Sequence, residues 1–305
     1  MLLAASDGAA SVDEPVSSWP IPQQGGRVGG SRAPVGTVWI PSTPMSRAFL
    51  PSIVVTLGDP SCSRDAAAAR RKSKLYLDAV RRAGGAPVGI DETTSTAEAT
   101  AAFSGMDGLL LSGGTDLDPA LYGAELQGSV GIRPDRDQLE LAAWGAATKR
   151  GLPVLGICRG LQAINVFMGG GLAQHVEGHQ GPSFGEGRPA THLLRLVAGS
   201  LLARILTEGV GSPDRVGHPD GATVLPSYTV NSYHHQAVRP GDLAPGLLAV
   251  GFTTGGDGEL VEALESAHGR WLIGVQFHPE RTESTPPEFE RLFAAFVRAA
   301  SERDG

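Results

Sequence analysis

One short stretch constrains the fold more than any other. Leu152-Pro153-Val154-Leu155 runs straight into Gly156-Ile157-Cys158-Arg159-Gly160. An apolar run closed by a glycine-flanked nucleophile, then by helix-forming residues, reads as strand, sharp turn, helix. The glycines permit tight backbone angles and leave room for a substrate beside the sulfur. The helix expected over Leu161 to Met168 sets its N-terminus under Cys158. That positive end, with a nearby imidazole, favours the thiolate, the form that attacks.

The surrounding pattern extends this unit into an α/β fold. Ile53 to Leu57, Ala86 to Ile90, Gly108 to Leu111 and Pro153 to Gly156 read as strands. Helical spacing predicts helices over Ala66 to Ala83, Thr94 to Phe103 and Asp135 to Arg150 between them. Strands alternating with helices imply βαβ units and a parallel sheet. Further strands are expected at Leu193 to Val197, Leu247 to Phe252, Leu260 to Leu264 and Leu272 to Gln276, with a short one at Thr229 to Asn231. An amphipathic helix over Glu288 to Ala300 closes the chain. Gln180 to Ala190 reads as an exposed loop. We expect one domain over residues 51–302. Residues 1–50, rich in Ser, Pro and Gly, read as a disordered extension. Their Gly25-Gly26-Arg27-Val28-Gly29-Gly30 follows no strand and opens no helix, so it is not read as a phosphate loop.

Ligands of open α/β sheets sit at the carboxyl ends of strands. Three features fall there together: Ser112-Gly113-Gly114, Cys158, and His278-Pro279-Glu280 after the strand ending at Gln276. A thiol, a base at another strand end and a carboxylate to orient that base are the parts of nucleophilic acyl transfer. Bulk properties are compatible with this. The net charge of −7 offers no basic face for nucleic acid. Two cysteines, Cys62 and Cys158, exclude a disulfide scaffold and suit a reducing cytoplasm. No apolar stretch is long enough to span a membrane, and no signal peptide is expected.

The ordered set Gly156-Ile157-Cys158-Arg159-Gly160-Leu161-Gln162, Gly169 to His175, Val230 to Gln236 and Gly274 to Glu280 resembles class I glutamine amidotransferase-like hydrolases. Within them it is most similar to the γ-glutamyl-γ-aminobutyrate hydrolase group, peptidase family C26. The resemblance runs from about Ile53 to Arg298. It implies a three-layer α/β/α, flavodoxin-like, mostly parallel fold. It also implies a Cys158-His278-Glu280 triad and hydrolysis of a γ-glutamyl amide. The oxyanion hole it implies takes backbone N–H groups from Gly113 or Gly114 and from Arg159. The family commonly has Trp before the His-Pro-Glu motif; Phe277 stands here and keeps an aromatic wall.

Plainer readings stand beside several of these residues. Gln162, one turn beyond Cys158, is either a contact to the glutamyl group or a satisfied polar residue on a helix. Tyr233, His234 and His235 are either a wall of the glutamyl pocket or buried groups satisfied by backbone. Arg133, Arg136 and Asp137 read as a solvated helix start or a substrate-carboxylate contact. His175-Val176-Glu177-Gly178-His179 lacks zincin spacing, and we expect no metal site and no cofactor. Three functions stay open. The leading one is a stand-alone hydrolase of small γ-glutamyl amines, in polyamine or γ-aminobutyrate catabolism. The others are a glutaminase subunit feeding ammonia to a separate synthetase, and a non-catalytic sensor. A homodimer is the default expectation for the assembly.

Overall fold

The computed structural model describes residues 50–181, 187–208, 227–256 and 258–302. The expected disordered extension (except Leu50) and the centre of the Gln180–Ala190 loop lie outside the described residues. Strands Ser52–Thr56 (β1), Ala86–Ile90 (β2), Gly108–Leu111 (β3) and Val154–Ile157 (β4) alternate with helices Ala66–Arg82 (α1), Thr96–Gly105 (α2) and Pro134–Lys149 (α3). Local chemistry sets their limits. Asp65 caps α1 through the Ala68 N–H at 2.8 Å, and Gly84, at φ 87°, ends it. Ser95 and Glu98 close a reciprocal capping box on α2. The helix after β4, Arg159–Phe167 (α4), starts at Arg159, so Cys158 itself is its N-cap.

Beyond α4 come Ala190–Leu196 (β5), Leu201–Thr207 (α5), Tyr228–Ser232 (β6), Leu247–Gly255 (β7), Gly258–Ser266 (β8), Leu272–Val275 (β9) and Glu290–Ser301 (α6). The nine strands form one sheet in the order β2-β1-β3-β4-β9-β8-β7-β5-β6. The five from β2 to β9 pair in parallel. The four from β8 to β6 extend the sheet by antiparallel pairing. Helix α5 has no counterpart among the helices expected from sequence. Ser200 caps it, and the distant Glu265 carboxylate accepts from the Leu201 and Leu202 N–H groups at 3.0 and 2.6 Å.

Side-chain alternation builds the layers. Ile53, Val55, Leu110, Leu155 and Ile157 face Val80 of α1 and Phe293 and Phe296 of α6. Val54, Leu109, Leu111 and Val154 face Phe103 of α2, Trp144 of α3 and Leu161 and Ile164 of α4. The sheet is thus covered on both sides, as the continuous apolarity of β3 and β4 requires. Phe277 belongs to the first of these cores. It is fully buried, edge-to-face with Phe289 at 4.8 Å, and forms no wall of the cavity described below, contrary to expectation. Because β3, β4 and β9 are adjacent and parallel, their carboxyl ends bring residues 112–114, 158 and 278 to one rim. No helix among the described residues is long and apolar enough to cross a membrane.

Candidate active site

The turn at Cys158 is strained. Its φ of 53° and ψ of −105° make it the only non-glycine residue at positive φ among those described. Such a conformation costs about 1–3 kcal/mol and persists only where its surroundings impose it. They do so here. The Cys158 N–H donates to the Val275 carbonyl at 2.7 Å. A Cβ on Gly160 would lie 2.0 Å from the Leu111 oxygen, and one on Gly156 would lie 2.6 Å from the Gly160 backbone. The two glycines let α4 press onto β3 and β4, and the sulfur is lifted to the rim. Cys158 is buried but lines a cavity of about 550 Å³.

His278 reaches the same cavity, where the Cys158 sulfur is near enough to favour the charged ring. Its Nδ1 lies 2.7 Å from Glu280 Oε1, so the ring stands between sulfur and carboxylate. Burial works against charging this ring. The Glu280 carboxylate, the Cys158 sulfur and hydrogen bonds to both outweigh burial and lift His278 from 6.5 to about 9. At neutral pH it is therefore an imidazolium. Asn231 clamps its backbone from both sides: Asn231 Oδ1 accepts from the His278 N–H at 2.8 Å, and Nδ2 donates to the His278 carbonyl at 3.1 Å.

The glycine loop after β3 lies against both groups. A Cβ on Gly113 would come within 2.9 Å of His278 Cε1 and 3.6 Å of Cys158 Cβ. The Gly113 N–H is already engaged, donating to Tyr76 Oη at 3.1 Å, which itself lies 3.3 Å from His278 Nδ1. Burial, reinforced by the Glu280 charge, holds the Tyr76 phenol well above its ordinary range, so it stays protonated. Gly114 supplies the next N–H along the loop. Arg159 opens α4, and its N–H has no partner within the helix.

Residues 59–280 match the sequence family described as Peptidase C26. The chain belongs to that family. It is 34% identical to protein NtpR of Enterococcus hirae over 73% of this chain and 87% of that one. It is 33% identical to Rv2859c of Mycobacterium tuberculosis, whose glutamine amidotransferase assignment is itself provisional, over 74% of this chain and 66% of that protein. It is 29% identical to the γ-glutamyl-γ-aminobutyrate hydrolase PuuD of Escherichia coli K12, over 73% and 84%. It is thus a glutamine amidotransferase-like hydrolase acting on amide bonds.

In this C26 hydrolase a buried charge network props the glycine loop. Arg136 donates to Ser112 Oγ at 3.2 Å and to the Gly113 carbonyl at 3.0 Å. Glu140 pairs with Arg136 at 3.0 Å and with Arg159, which also pairs with Asp137; Thr56 donates to Glu140 at 3.0 Å. Arg136 and Asp137 are therefore interior residues, not a solvated helix start. Two cations and two anions balance within one dry cluster, which is what makes their burial tolerable. Arg136 and Arg133 both line the cavity, as do Lys72, Asp59, Glu92 and the exposed thiol of Cys62.

Not every residue expected at the site arrives there. Tyr233 lines the cavity, edge-on to His278 at 5.5 Å, with the Arg281 guanidinium 3.9 Å from its ring centre. Gln162 turns inward and donates to the Gln236 carbonyl at 3.0 Å and to Gln276 Oε1 at 3.2 Å. His235 pairs with Asp116 at 3.0 Å, away from the cavity wall. His234 is buried, and burial lowers it to about 4, the Glu262 charge notwithstanding. Tyr76, Glu140 and Asn231 are site residues that the sequence pattern does not single out. Only Asn231 carried a signal, its place in Val230 to Gln236.

Proposed function

We propose that this chain is a cysteine hydrolase that cleaves the γ-glutamyl amide bond of small γ-glutamyl amines, such as γ-glutamyl-γ-aminobutyrate. One observation carries the reading: a strained sulfur that shares its cavity with an imidazole whose Nδ1 is held by a carboxylate. In the proposed reaction Cys158 Sγ attacks the γ-carbonyl carbon. The carbon–nitrogen bond breaks as the His278 imidazolium gives its proton to the leaving amine, and a γ-glutamyl thioester remains. Water then attacks the thioester, His278 takes its proton, glutamate leaves and the sulfur is restored. Glu280 holds the imidazole in orientation and stabilises its charge. The N–H groups of Gly114 and Arg159 receive the oxyanion, since Tyr76 occupies that of Gly113. One such donor is worth about 3 kcal/mol of barrier.

The γ-glutamyl half has a carboxylate and an ammonium on one carbon. A cavity lined by Lys72 and Arg133 as well as Asp59 and Glu92 suits such a zwitterion. Relatives named for γ-glutamyl-γ-aminobutyrate hydrolysis support the substrate class. The test is to incubate the purified protein with γ-glutamyl-γ-aminobutyrate and measure free glutamate. Release absent in a Cys158→Ala control is expected. No release above that control overturns the proposal, and turnover of glutamine with little of the substituted amide replaces it with an ammonia-supplying glutaminase.

A further inference from the structure

Four side chains that the proposed hydrolysis does not use converge in the antiparallel half of the sheet. His179 precedes β5, His192 lies on β5, His234 follows β6 and Glu262 lies on β8. Each offers one nitrogen or oxygen, and these atoms all lie within 4.8 Å of one another. The ring of His179 sits 5.0 Å from that of His192 and 4.9 Å from that of His234. Glu262 is fully buried; one carboxylate oxygen is 2.9 Å from His192 Nε2 and the other 3.7 Å from His234 Nε2. None of the four lines the cavity at Cys158.

Proton bookkeeping exposes what is missing. His234 Nδ1 lies 3.0 Å from the Gln236 carbonyl, and a carbonyl oxygen only accepts, so Nδ1 carries the hydrogen. In the neutral ring Nε2 is then a bare lone pair, and it faces an anionic oxygen with no hydrogen bond between them. Neither Glu262 oxygen has a hydrogen-bond partner, and among the described residues imidazoles alone stand beside its charge. The Glu262 oxygen beside His234 thus faces a lone pair rather than a donor, an arrangement that a cation between them would satisfy. A divalent metal at the centre would use every one of these lone pairs. Three imidazoles and one carboxylate are a tetrahedral zinc set, in which bonds of about 2.1 Å place ligand atoms about 3.4 Å apart. The four groups, already within 4.8 Å of one another, need only small side-chain shifts. The Nδ1–H of His234 on a backbone carbonyl is the outer contact that fixes a ligating imidazole.

We propose that His179, His192, His234 and Glu262 bind a divalent transition metal, zinc by preference, as a closed structural site. Its consequence for the enzyme is positional. His234 follows the cavity residue Tyr233, and His179 precedes the cavity residues Gln180 and Gly181. The two segments already touch, the His179 carbonyl accepting from the His234 N–H at 3.2 Å and from Ser232 Oγ at 2.6 Å. A metal joining both to β5 and β8 would lock this wall of the cavity to the sheet.

The test uses the full chain carrying Cys158→Ala, so that the sulfur beside His278 cannot hold metal and the outcome is independent of the proposed hydrolysis. The protein is dialysed against micromolar zinc, then freed of excess; bound metal is counted by mass spectrometry and its ligands by zinc X-ray absorption. One zinc per chain, with four nitrogen or oxygen neighbours at roughly 2.0–2.2 Å and no sulfur, is expected. Glu262→Gln should weaken zinc at least a hundredfold in competition with a chelator. Should that variant not fold, His192→Gln, nearest the surface of the four, takes its place. Substoichiometric zinc, a sulfur neighbour from Cys62, or unchanged affinity in the variants overturns the site.

Discussion

Replacing Glu280 with Gln isolates the electrostatic part of the proposed mechanism. Gln keeps the length of the side chain and an oxygen that accepts from His278 Nδ1, but it removes the charge 2.7 Å away. That charge is the largest influence raising His278, against the burial that lowers it. The gap between 6.5 and about 9 amounts to roughly 3 kcal/mol in favour of the imidazolium. Without Glu280 the buried ring should fall to its ordinary value or below. At pH 8 the fraction able to protonate a leaving amine then drops about 30-fold. This is a floor, because a rotated Gln amide would also select the wrong tautomer. The assay is kcat/KM for γ-glutamyl-γ-aminobutyrate across pH 5 to 10. The wild-type protein should lose activity on an alkaline limb near 9; in Glu280→Gln the limb should move below neutrality. Stability carries the same sign. A folded-state pKa raised above 6.5 contributes stability that is complete below 6.5 and is lost as pH rises through about 9. Wild-type and variant profiles with the same alkaline limb would refute the reasoning.

Other perturbations separate positioning from packing. Tyr76→Phe removes the acceptor of the Gly113 N–H and should lower kcat about tenfold with little change in KM, read by steady-state kinetics. Asn231→Ala strips both backbone hydrogen bonds from His278 and should cost about 1–3 kcal/mol in urea unfolding, since the His278 N–H is left buried and unmet. Gly160→Ala puts a methyl 2.0 Å from the Leu111 oxygen and should destabilise by about 3 kcal/mol or prevent folding, seen as a lower Tm.

What could be read from sequence was what is local. The elbow is written in five consecutive residues and an apolar run, so its strand, turn and helix were legible, with the helix starting only two residues early. The parallel half of the sheet follows from alternating strand and helix periods. Helix α5 was hidden because Leu201–Thr207 is short and its first N–H groups depend on Glu265, more than sixty residues away. Tyr76 lies within the helix expected over Ala66 to Ala83, and nothing near it in sequence shows that its hydroxyl meets Gly113 and His278 across the sheet rim. For Arg136 and Asp137 the sequence leaves a solvated helix start and a substrate-carboxylate contact open, because no sequence neighbour reveals Arg159 and Glu140 beneath the glycine loop. The His175–His179 stretch shows the converse. The two imidazoles part, His175 toward His235 at 3.4 Å and His179 toward His192 and His234. Spacing within one stretch carried no information about groups brought in from three other strands and loops.

The proposed hydrolysis requires that Cys158 be a nucleophile facing a γ-glutamyl pocket. Intact-mass analysis after exposure to a diazo-ketone analogue of glutamine addresses it in one step. A single adduct, mapped to Cys158 and absent from Cys158→Ala, is the expected result. An unmodified chain, or an adduct on Cys62 instead, would contradict it.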